Sequence, residues 1–532
     1  MAQGNGMNGN GSRPGALVDL RTARMALATA RGNEKLDLLL GLPDPAGMIP
    51  KIPANELYLA ILDIGADDAA EVISLASPEQ FAHFVDASAW PRRDAGPDPK
   101  KLMHWLVLAR EGGGNTERSQ RRFLAKLDGL DPELFSLTLR NEVIVHDLSE
   151  NEEPIIADDN HIYRTAEGKY LVEIKAEGAG YGAIKRLLDD LTHRDPFGTT
   201  RMLEALRWEV PTELEESAHR WREGRLRDLG VPDWEEALAF FARPSKPKTA
   251  APEAVSQPVA TSALEAVEKV PLLDRAVALL DGDQRDTAEE GIVYACNAAL
   301  VAQDVPLDEN QEVRRVLSDA RALLSTGLEL MSSGDEARAA EVLATRPIRE
   351  VFQAAMAELY RLQTRARTVA KTLRLPQAQS ATLLDAPLAS MLSALQSVPP
   401  TLAFPLGDHS PKAITRAPGS RLDLLRAEAL LDECDALAAL LPKLGFDLEK
   451  LGKLAEEAQI APSALRMSDV VRMAVFAGLR YAEPTLKDLP DRAAPLPEGF
   501  AGALERLLAH AAAQVGGDAI ARAVSRLQRQ AS

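Results

Sequence analysis

The stretch between Leu57 and Trp90 limits the possible folds more than any other part of this sequence. Its apolar residues recur at the spacing of one buried helical face, i, i+3, i+4 and i+7. One such set is Ala69, Val72, Ile73 and Ala76. Because the short amphipathic segments follow one another with almost no loop, each must bury its apolar face against its neighbours. The pattern predicts a domain of packed short helices.

Two helix start signals in this half of the chain resemble each other. Ser77-Pro78-Glu79 supplies an N-cap residue, a proline at the first helical position and an acid in the first turn. Asp131-Pro132-Glu133 repeats the signal. The repetition favours stacked helical hairpins of the α-solenoid kind. The same signal also begins unrelated helices, so a chance likeness is the alternative.

The apolar period changes between residues 143 and 177. Alternating and β-branched residues predict short strands there, with a hairpin turn between the last two. The predicted strands are Val143–Val145, Ile155-Ile156, Ile162–Arg164 and Tyr170–Ile174. A small β element inside a helical domain accounts for this change.

The chain as a whole is predicted to be mainly α, with stacked helical hairpins, a small β-hairpin insertion and a second all-α domain. Its 532 residues exceed one comfortable core, and Pro-rich, aperiodic stretches mark the boundaries. The predicted segments are a disordered N-terminus (1–15), a helical domain (16–242), a flexible linker (243–262), an all-α domain (263–397), a Pro-rich loop (398–420) and a C-terminal helical subdomain (421–532).

Composition excludes several classes of function. The 79 acidic residues outnumber the 61 basic ones, and the resulting net charge of −18 repels phosphate backbones, so nucleic-acid binding is not expected. The sequence has no apolar run long enough to cross a bilayer and no signal peptide, so membrane insertion is not expected. Two cysteines cannot form a disulfide framework, and they suggest a reducing cytoplasm.

Motifs for cofactors and metals are incomplete. Residues 178–183 fit the dinucleotide-binding pattern G-x-G-x-x-A, but no second parallel strand with a ribose-binding acid follows, so a plain connection is preferred. Glu216 and His219 form half of a di-iron bundle motif without the required second copy. We therefore expect no cofactor and no metal, and no catalytic residue can be assigned.

The segment Glu213–Leu229 is chemically the most unusual. Its helical spacing predicts one narrow apolar stripe, made of Leu214, Ala218, Trp221, Arg225 and Leu229. Arg225 therefore falls within the apolar face, and Arg222 lies at its edge. An unpaired buried guanidinium is very costly, so these arginines must find carboxylates or carbonyls. The preferred interpretation is an internal ion-pair network, with Asp189, Asp190 or Asp195 as partners. The alternative is an anion or partner-carboxylate site. The candidate residues are Glu215, Glu216, His219, Arg220, Trp221, Arg222 and Arg225.

Three segments carry a resemblance to a known family. They are LYLAILDIGADDAAEVISLASPEQFAHFVDASAW, EESAHRWREGRLRDLG and GDEARAAEVLATRPIREVF. Together they resemble an uncharacterised bacterial family of helical proteins of about this length, carried as a domain of unknown function, over residues 35–375. The first segment is also similar in pattern to the helical N-terminal domain of MgtE-type magnesium transporters. Neither resemblance implies an activity or a site residue for this chain.

The sequence therefore predicts a cytoplasmic scaffold, adaptor or regulatory protein that binds other proteins through helical surfaces. The identity of the partners and the oligomeric state are left open. An enzyme or small-anion sensor with its site around Glu213–Leu229 is the alternative, because such a site can gather residues that are distant in sequence.

Overall fold

The fold is described from a computed structural model. The structure describes residues 27, 30, 32–90, 96–150, 154–156, 161–243, 271–307, 309–376, 378, 381–405, 412–487, 489–490 and 494–532. These residues form two compact units. The first takes in the described residues from 27 to 234 and from 300 to 314, and the second takes in those from 235 to 299 and from 315 to 532.

The first unit contains eleven complete helices among its described residues. They are α1 (Asn33–Leu40), α2 (Pro45–Met48), α3 (Ala54–Ile64), α4 (Ala70–Leu75), α5 (Pro78–Ser88), α6 (Pro99–Glu111), α7 (Glu117–Asp128), α8 (Pro132–Leu139), α9 (Ala179–Arg194), α10 (Pro196–Trp208) and α11 (Pro211–Asp228). A 3₁₀ turn, Ile49–Lys51, lies between α2 and α3.

The remaining helices fall mainly in the second unit. They are α12 (Trp234–Phe241), α13 (Pro271–Ala278), α14 (Gly282–Ala302), α15 (Asn310–Ser332), α16 (Glu336–Thr345), α17 (Ile348–Thr372), α18 (Leu388–Gln396), α19 (Arg421–Leu440), α20 (Leu448–Glu457), α21 (Met467–Arg480), α22 (Phe500–Ala513) and α23 (Asp518–Ala531). A second 3₁₀ turn covers Leu441–Leu444.

The first unit also contains a three-stranded antiparallel sheet. Its strands are β1 (Val143–Asp147), β2 (Ile162–Arg164) and β3 (Tyr170–Ile174), and β3 lies in the centre. Every residue of β3 is buried. Tyr170, Val172 and Ile174 join the core built by the helices.

Local chemistry explains where the helices begin. Ser77 accepts a hydrogen bond from the backbone of Gln80, whose side chain bonds back to the Ser77 N–H, so α5 begins with a full capping box. Asp131 precedes α8 but forms no such cap. Its carboxylate is used elsewhere, as described below, so the two similar start signals lead to different local structures.

The mainly α fold with a small antiparallel β element is confirmed. Ile155-Ile156 is not a strand, and the prediction there is wrong: Ile155 is 95% exposed, so it buries no face of a sheet. The predicted Pro-rich loop over 398–420 also contains strands that the sequence did not indicate. Strands β4 (Leu402–Pro405) and β5 (Ala413–Arg416) pair there, and the Arg416 guanidinium lies 3.9 Å from the centre of the Phe404 ring.

Other expectations on domain organisation are not tested. The predicted disordered N-terminus (1–15) lies outside the described residues, as does all but the first residue of the predicted linker (243–262). Solenoid-like stacking and the other domain boundaries stay predictions.

Candidate functional site

Helix α11 holds the residues that the sequence singled out. Pro211 occupies its first turn, where a missing N–H costs no helical hydrogen bond. Leu214, Ala218 and Leu226 are buried and attach the helix to α8 and α5. The apolar face of α11 therefore packs against the core of the first unit, and Arg222 and Arg225 lie on the same face.

Arg225 bridges two carboxylates that come from different helices. Its Nε and Nη2 donate to Asp86 at 2.7 and 2.9 Å, and its Nη1 and Nη2 donate to Asp131 at 2.8 and 2.7 Å. Both pairs are bidentate, the geometry in which Arg–carboxylate pairs are strongest. The Asp86 side chain is 1% exposed and that of Asp131 is 11% exposed, so solvent screens neither pair well.

Arg225 and the Asp86 carboxylate each oppose the effect of burial on the other's pKa. Burial acts to lower the pKa of Arg225, but the hydrogen bonds to Asp86 and Asp131 outweigh it and raise the pKa above its ordinary value. Burial raises the pKa of Asp86, although the hydrogen bonds from Arg225 oppose that rise. One guanidinium thus serves two buried carboxylates, and the cluster depends on it.

Arg222 sits beside this network with different contacts. Its Nε donates to the backbone carbonyl of Asp86 at 2.9 Å, and its guanidinium lies 5.1 Å from the centre of the Trp90 ring. Burial lowers the pKa of Arg222. His219 approaches Trp90 edge-on at 5.8 Å, and its Nδ1 lies 3.6 Å from Glu223. Arg222 and His219 thus share one aromatic ring as a neighbour.

His83 is the buried group nearest in chemistry to a catalytic base. It is 5% exposed, and neither ring nitrogen has a hydrogen-bond partner among the residues that the structure describes. Burial, together with the nearby charge of Arg222, lowers the pKa of His83 to about 4. The imidazole is therefore neutral at physiological pH. It packs edge-on against the Tyr58 ring, with the ring centres 5.9 Å apart.

The other predicted site residues lie away from the network. Glu216 and Arg220 form an exposed pair, with 3.2 Å between Oε1 and Nη2. Glu215 lies against the backbone at Gly96, where an added Cβ would come within 3.0 Å of its Oε1. Trp221 is 59% exposed, so it does not belong to the buried stripe that the spacing predicted.

The predicted partners of the arginines are wrong. Asp190 pairs with Arg110 at 3.1 Å, and Asp195 caps α10 by accepting from the Gly198 N–H. No ion pair joins Asp189, Asp190 or Asp195 to Arg222 or Arg225. The true partners Asp86 and Asp131 precede Arg225 by 139 and 94 residues, so nearness in sequence was a poor guide.

A second polar cluster was missed by the sequence analysis. Glu204 on α10 accepts hydrogen bonds from Tyr170 and Lys169, and these bonds lower the pKa of Glu204. Arg207, one turn further on, pairs with Asp147 at 3.3 Å and also with Glu150. The cluster ties α10 to β1 and β3.

An exposed tryptophan completes this cluster. The Arg207 guanidinium lies 5.0 Å from the centre of the Trp208 ring, and Trp208 is 69% exposed. Val210, two residues on, is 51% exposed. A tryptophan at a helix end and outside the apolar stripe was the signal in the sequence that could have indicated this surface.

A shallow cleft lies between α6, α7 and α9. Its polar side chains pair across it, Arg110 with Asp190 at 3.1 Å and Arg186 with Glu111 at 3.6 Å. Its apolar lining comes from Met103, Leu106, Val107, Phe123, Ala183 and Leu187. These four charged side chains of the cleft are therefore already paired with one another.

The incomplete motifs take ordinary positions. Gly178, with φ of 56°, precedes the first turn of α9, and the strand before it is the centre of an antiparallel sheet rather than a parallel one. Within the described ranges, no group of three or more His, Cys, Asp or Glu side chains could hold a metal ion. In the same ranges, no helix is long and apolar enough to cross a bilayer.

Comparison with known proteins gives one result. No curated protein and no solved structure matches the chain, so no match supports the likeness of its first segment to MgtE-type transporters. A family model does match, over residues 13–511, which is most of the chain and more than the predicted 35–375. The chain belongs to this family, which is described as a family of unknown function (DUF6178).

Proposed function

We propose that this chain is a protein-binding protein of the scaffold, adaptor or regulatory type, acting in the cytoplasm through the surfaces of its helices. The observation that carries the proposal is Trp208. It is 69% exposed at the end of α10, while its neighbour Arg207 is only 13% exposed and is held by carboxylates. Tryptophan and arginine dominate the binding energy of protein interfaces.

The arrangement of Arg207 and Trp208 supports this choice. Three acidic side chains, Asp147, Glu150 and Glu204, pair with Arg207, so its guanidinium is fixed before any partner arrives. Because the guanidinium lies near the indole ring, it also restricts Trp208. A rigid aromatic anchor loses little side-chain entropy on binding. The two cysteines, both free and buried, fit a reducing compartment.

Site-specific crosslinking tests the proposal. A photo-activatable amino acid replaces Trp208 in the full-length chain, and a matched variant carries it at Arg121, which is 73% exposed on α7 of the same unit. We expect a discrete crosslinked species in cells from position 208 and none from position 121. Trp208→Ala should leave the unfolding midpoint nearly unchanged, because the ring is already exposed. Equal crosslinking at both positions, or none at 208, contradicts the proposal.

A second candidate is a small-anion sensor built on Arg222. The observation in its favour is that Arg222 forms no ion pair with any described residue, although burial lowers its pKa. Titration calorimetry with inorganic phosphate tests it. Binding that is lost in Arg222→Met but retained in Arg220→Met would support the sensor. An absence of heat at millimolar phosphate would exclude it.

A further inference from the structure

The three-stranded sheet has an open edge at β1. The strand order is β1-β3-β2, so β1 pairs with β3 on one side and, among the described residues, with no strand on the other. Five consecutive residues of β1 pair in register with β3, from Val143 opposite Ile174 to Asp147 opposite Tyr170. The pairing of these five residues is continuous and contains no bulge.

The register shows which backbone groups face outward. The Lys175 N–H donates to the Glu142 carbonyl and the Leu148 N–H to the Lys169 carbonyl, both at 2.8 Å. Since antiparallel hydrogen bonds alternate, the N–H and C=O groups of Ile144 point toward β3 and those of Val145 point away from it. Within the described part of the chain, Val145 and Val143 have no backbone partner on the outer side.

The strand β1 itself lacks the residues and the bulge that usually protect a sheet edge. Proteins block edges with proline, with lysine, with bulges or with covering segments. The strand reads Val-Ile-Val-His-Asp and contains neither proline nor lysine. Its first three residues are β-branched, the type that favours extended pairing. Ile144 is 40% exposed on the face opposite the core.

The surroundings of the edge select the charge of an incoming segment. At its C-terminal end β1 reaches Asp147, which pairs with Arg207 beneath Trp208. Arg207 is 13% exposed, whereas Glu150 is 58% exposed and Glu209, next to Trp208, is also exposed. Lys169 is a basic neighbour, 39% exposed and 3.7 Å from Asp147. The carboxylates at this end still outnumber the cations, with Asp147, Glu150, Glu204 and Glu209 against Lys169 and Arg207.

We propose that β1 is a docking edge for an extended segment of another protein, which adds as a fourth strand and carries alternating apolar and basic residues. The open N–H and C=O of Val145 supply the main-chain hydrogen bonds. Trp208 offers an apolar contact at one end, and Glu150 attracts the basic side chains. This inference rests on the proposed function, because it names the binding mode of a protein-binding surface.

Selection from a random linear peptide phage library on the full-length chain tests the proposal. The blocking variant is Val145→Pro, which removes an N–H that the fold itself does not use. The matched control is Val145→Thr, which keeps that N–H. We expect selected peptides to alternate apolar and basic residues, to lose affinity about tenfold or more on Val145→Pro, and to keep it on Val145→Thr.

Hydrogen exchange provides a readout that does not depend on the folding of the proline variant. In the wild-type chain, addition of a selected peptide should slow exchange at the Val145 amide and leave the already bonded Ile144 amide unchanged. Peptides with helical spacing, no binders at all, or no protection at Val145 would overturn the inference. If position 208 still crosslinks while Val145→Pro has no effect, the proposed function stands and only this binding mode fails.

Discussion

Replacing Arg225 by methionine tests the central role of the bridge between Asp86 and Asp131. Methionine keeps much of the side chain's length and apolar packing but removes the charge. Two carboxylates with side chains 1% and 11% exposed would then share no cation. Breaking a buried ion pair by removing one partner costs roughly 3–5 kcal/mol, so Arg225→Met should lower the free energy of unfolding of the first unit by about that amount.

The same helix contains the matched control. Arg220 pairs with Glu216 at 3.2 Å, but both side chains are about three-quarters exposed, at 76% and 75%. Exposed pairs of this kind contribute less than about 1 kcal/mol. Arg220→Met removes the same charge from the same helix, and we expect it to change stability by less than about 1 kcal/mol.

Urea denaturation followed by tryptophan fluorescence measures both variants. All five tryptophans lie at or before residue 234, so the signal reports on the first unit. In the Arg225→Met background, Asp86→Asn should restore part of the loss, because it removes an uncompensated charge. The reasoning is refuted if Arg225→Met costs no more than Arg220→Met, or if Asp86→Asn makes the loss larger.

Three further predictions concern burial and packing. His83 titrates near pH 4 in the fold and near 6.5 when unfolded, so stability should fall as the pH drops from 6.5 to 4, by up to about 3 kcal/mol, and His83→Gln should flatten that slope in urea titrations at several pH values. Gln80 is 3% exposed and its amide donates to two backbone carbonyls, so Gln80→Ala should cost about 2 kcal/mol by tryptophan fluorescence. In the second unit, Gly327→Ala would place a Cβ 1.9 Å from the Val351 carbonyl and should lower the midpoint followed by circular dichroism. The Gly478→Ala control meets nothing within 4 Å and should raise that midpoint slightly.

Periodicity predicted the elements of this fold well where packing follows local pattern. The predicted strands Ile162–Arg164 and Tyr170–Ile174 are found with the same bounds, as β2 and β3. The hairpin of β4 and β5 was missed because five prolines over 398–420 are typical of a loop. Strand β4 tolerates Pro405 at its last position, and the contact of Phe404 with Arg416 holds the pair together.

The candidate site was predicted in part. Spacing alone placed Arg225 on the buried face of α11 and required it to find carboxylates or carbonyls. It put Trp221 on the same face, but Leu214, Ala218 and Leu226 centre that face nearer to Arg222, so the ring is exposed. The identity of the carboxylates depends on how helices distant in sequence come together, and one sequence contains no local signal for that.

The long separation within the Asp86–Arg225–Asp131 bridge has a consequence for biosynthesis. A chain emerging from the ribosome presents Asp86 and Asp131 well before Arg225, which follows them by 139 and 94 residues. Until Arg225 leaves the exit tunnel, the carboxylates of Asp86 and Asp131 have no shared cation. Burying both of them in the charged form is then very costly. We therefore expect the nascent α5 and α8 to stay loosely packed until α11 has been synthesised.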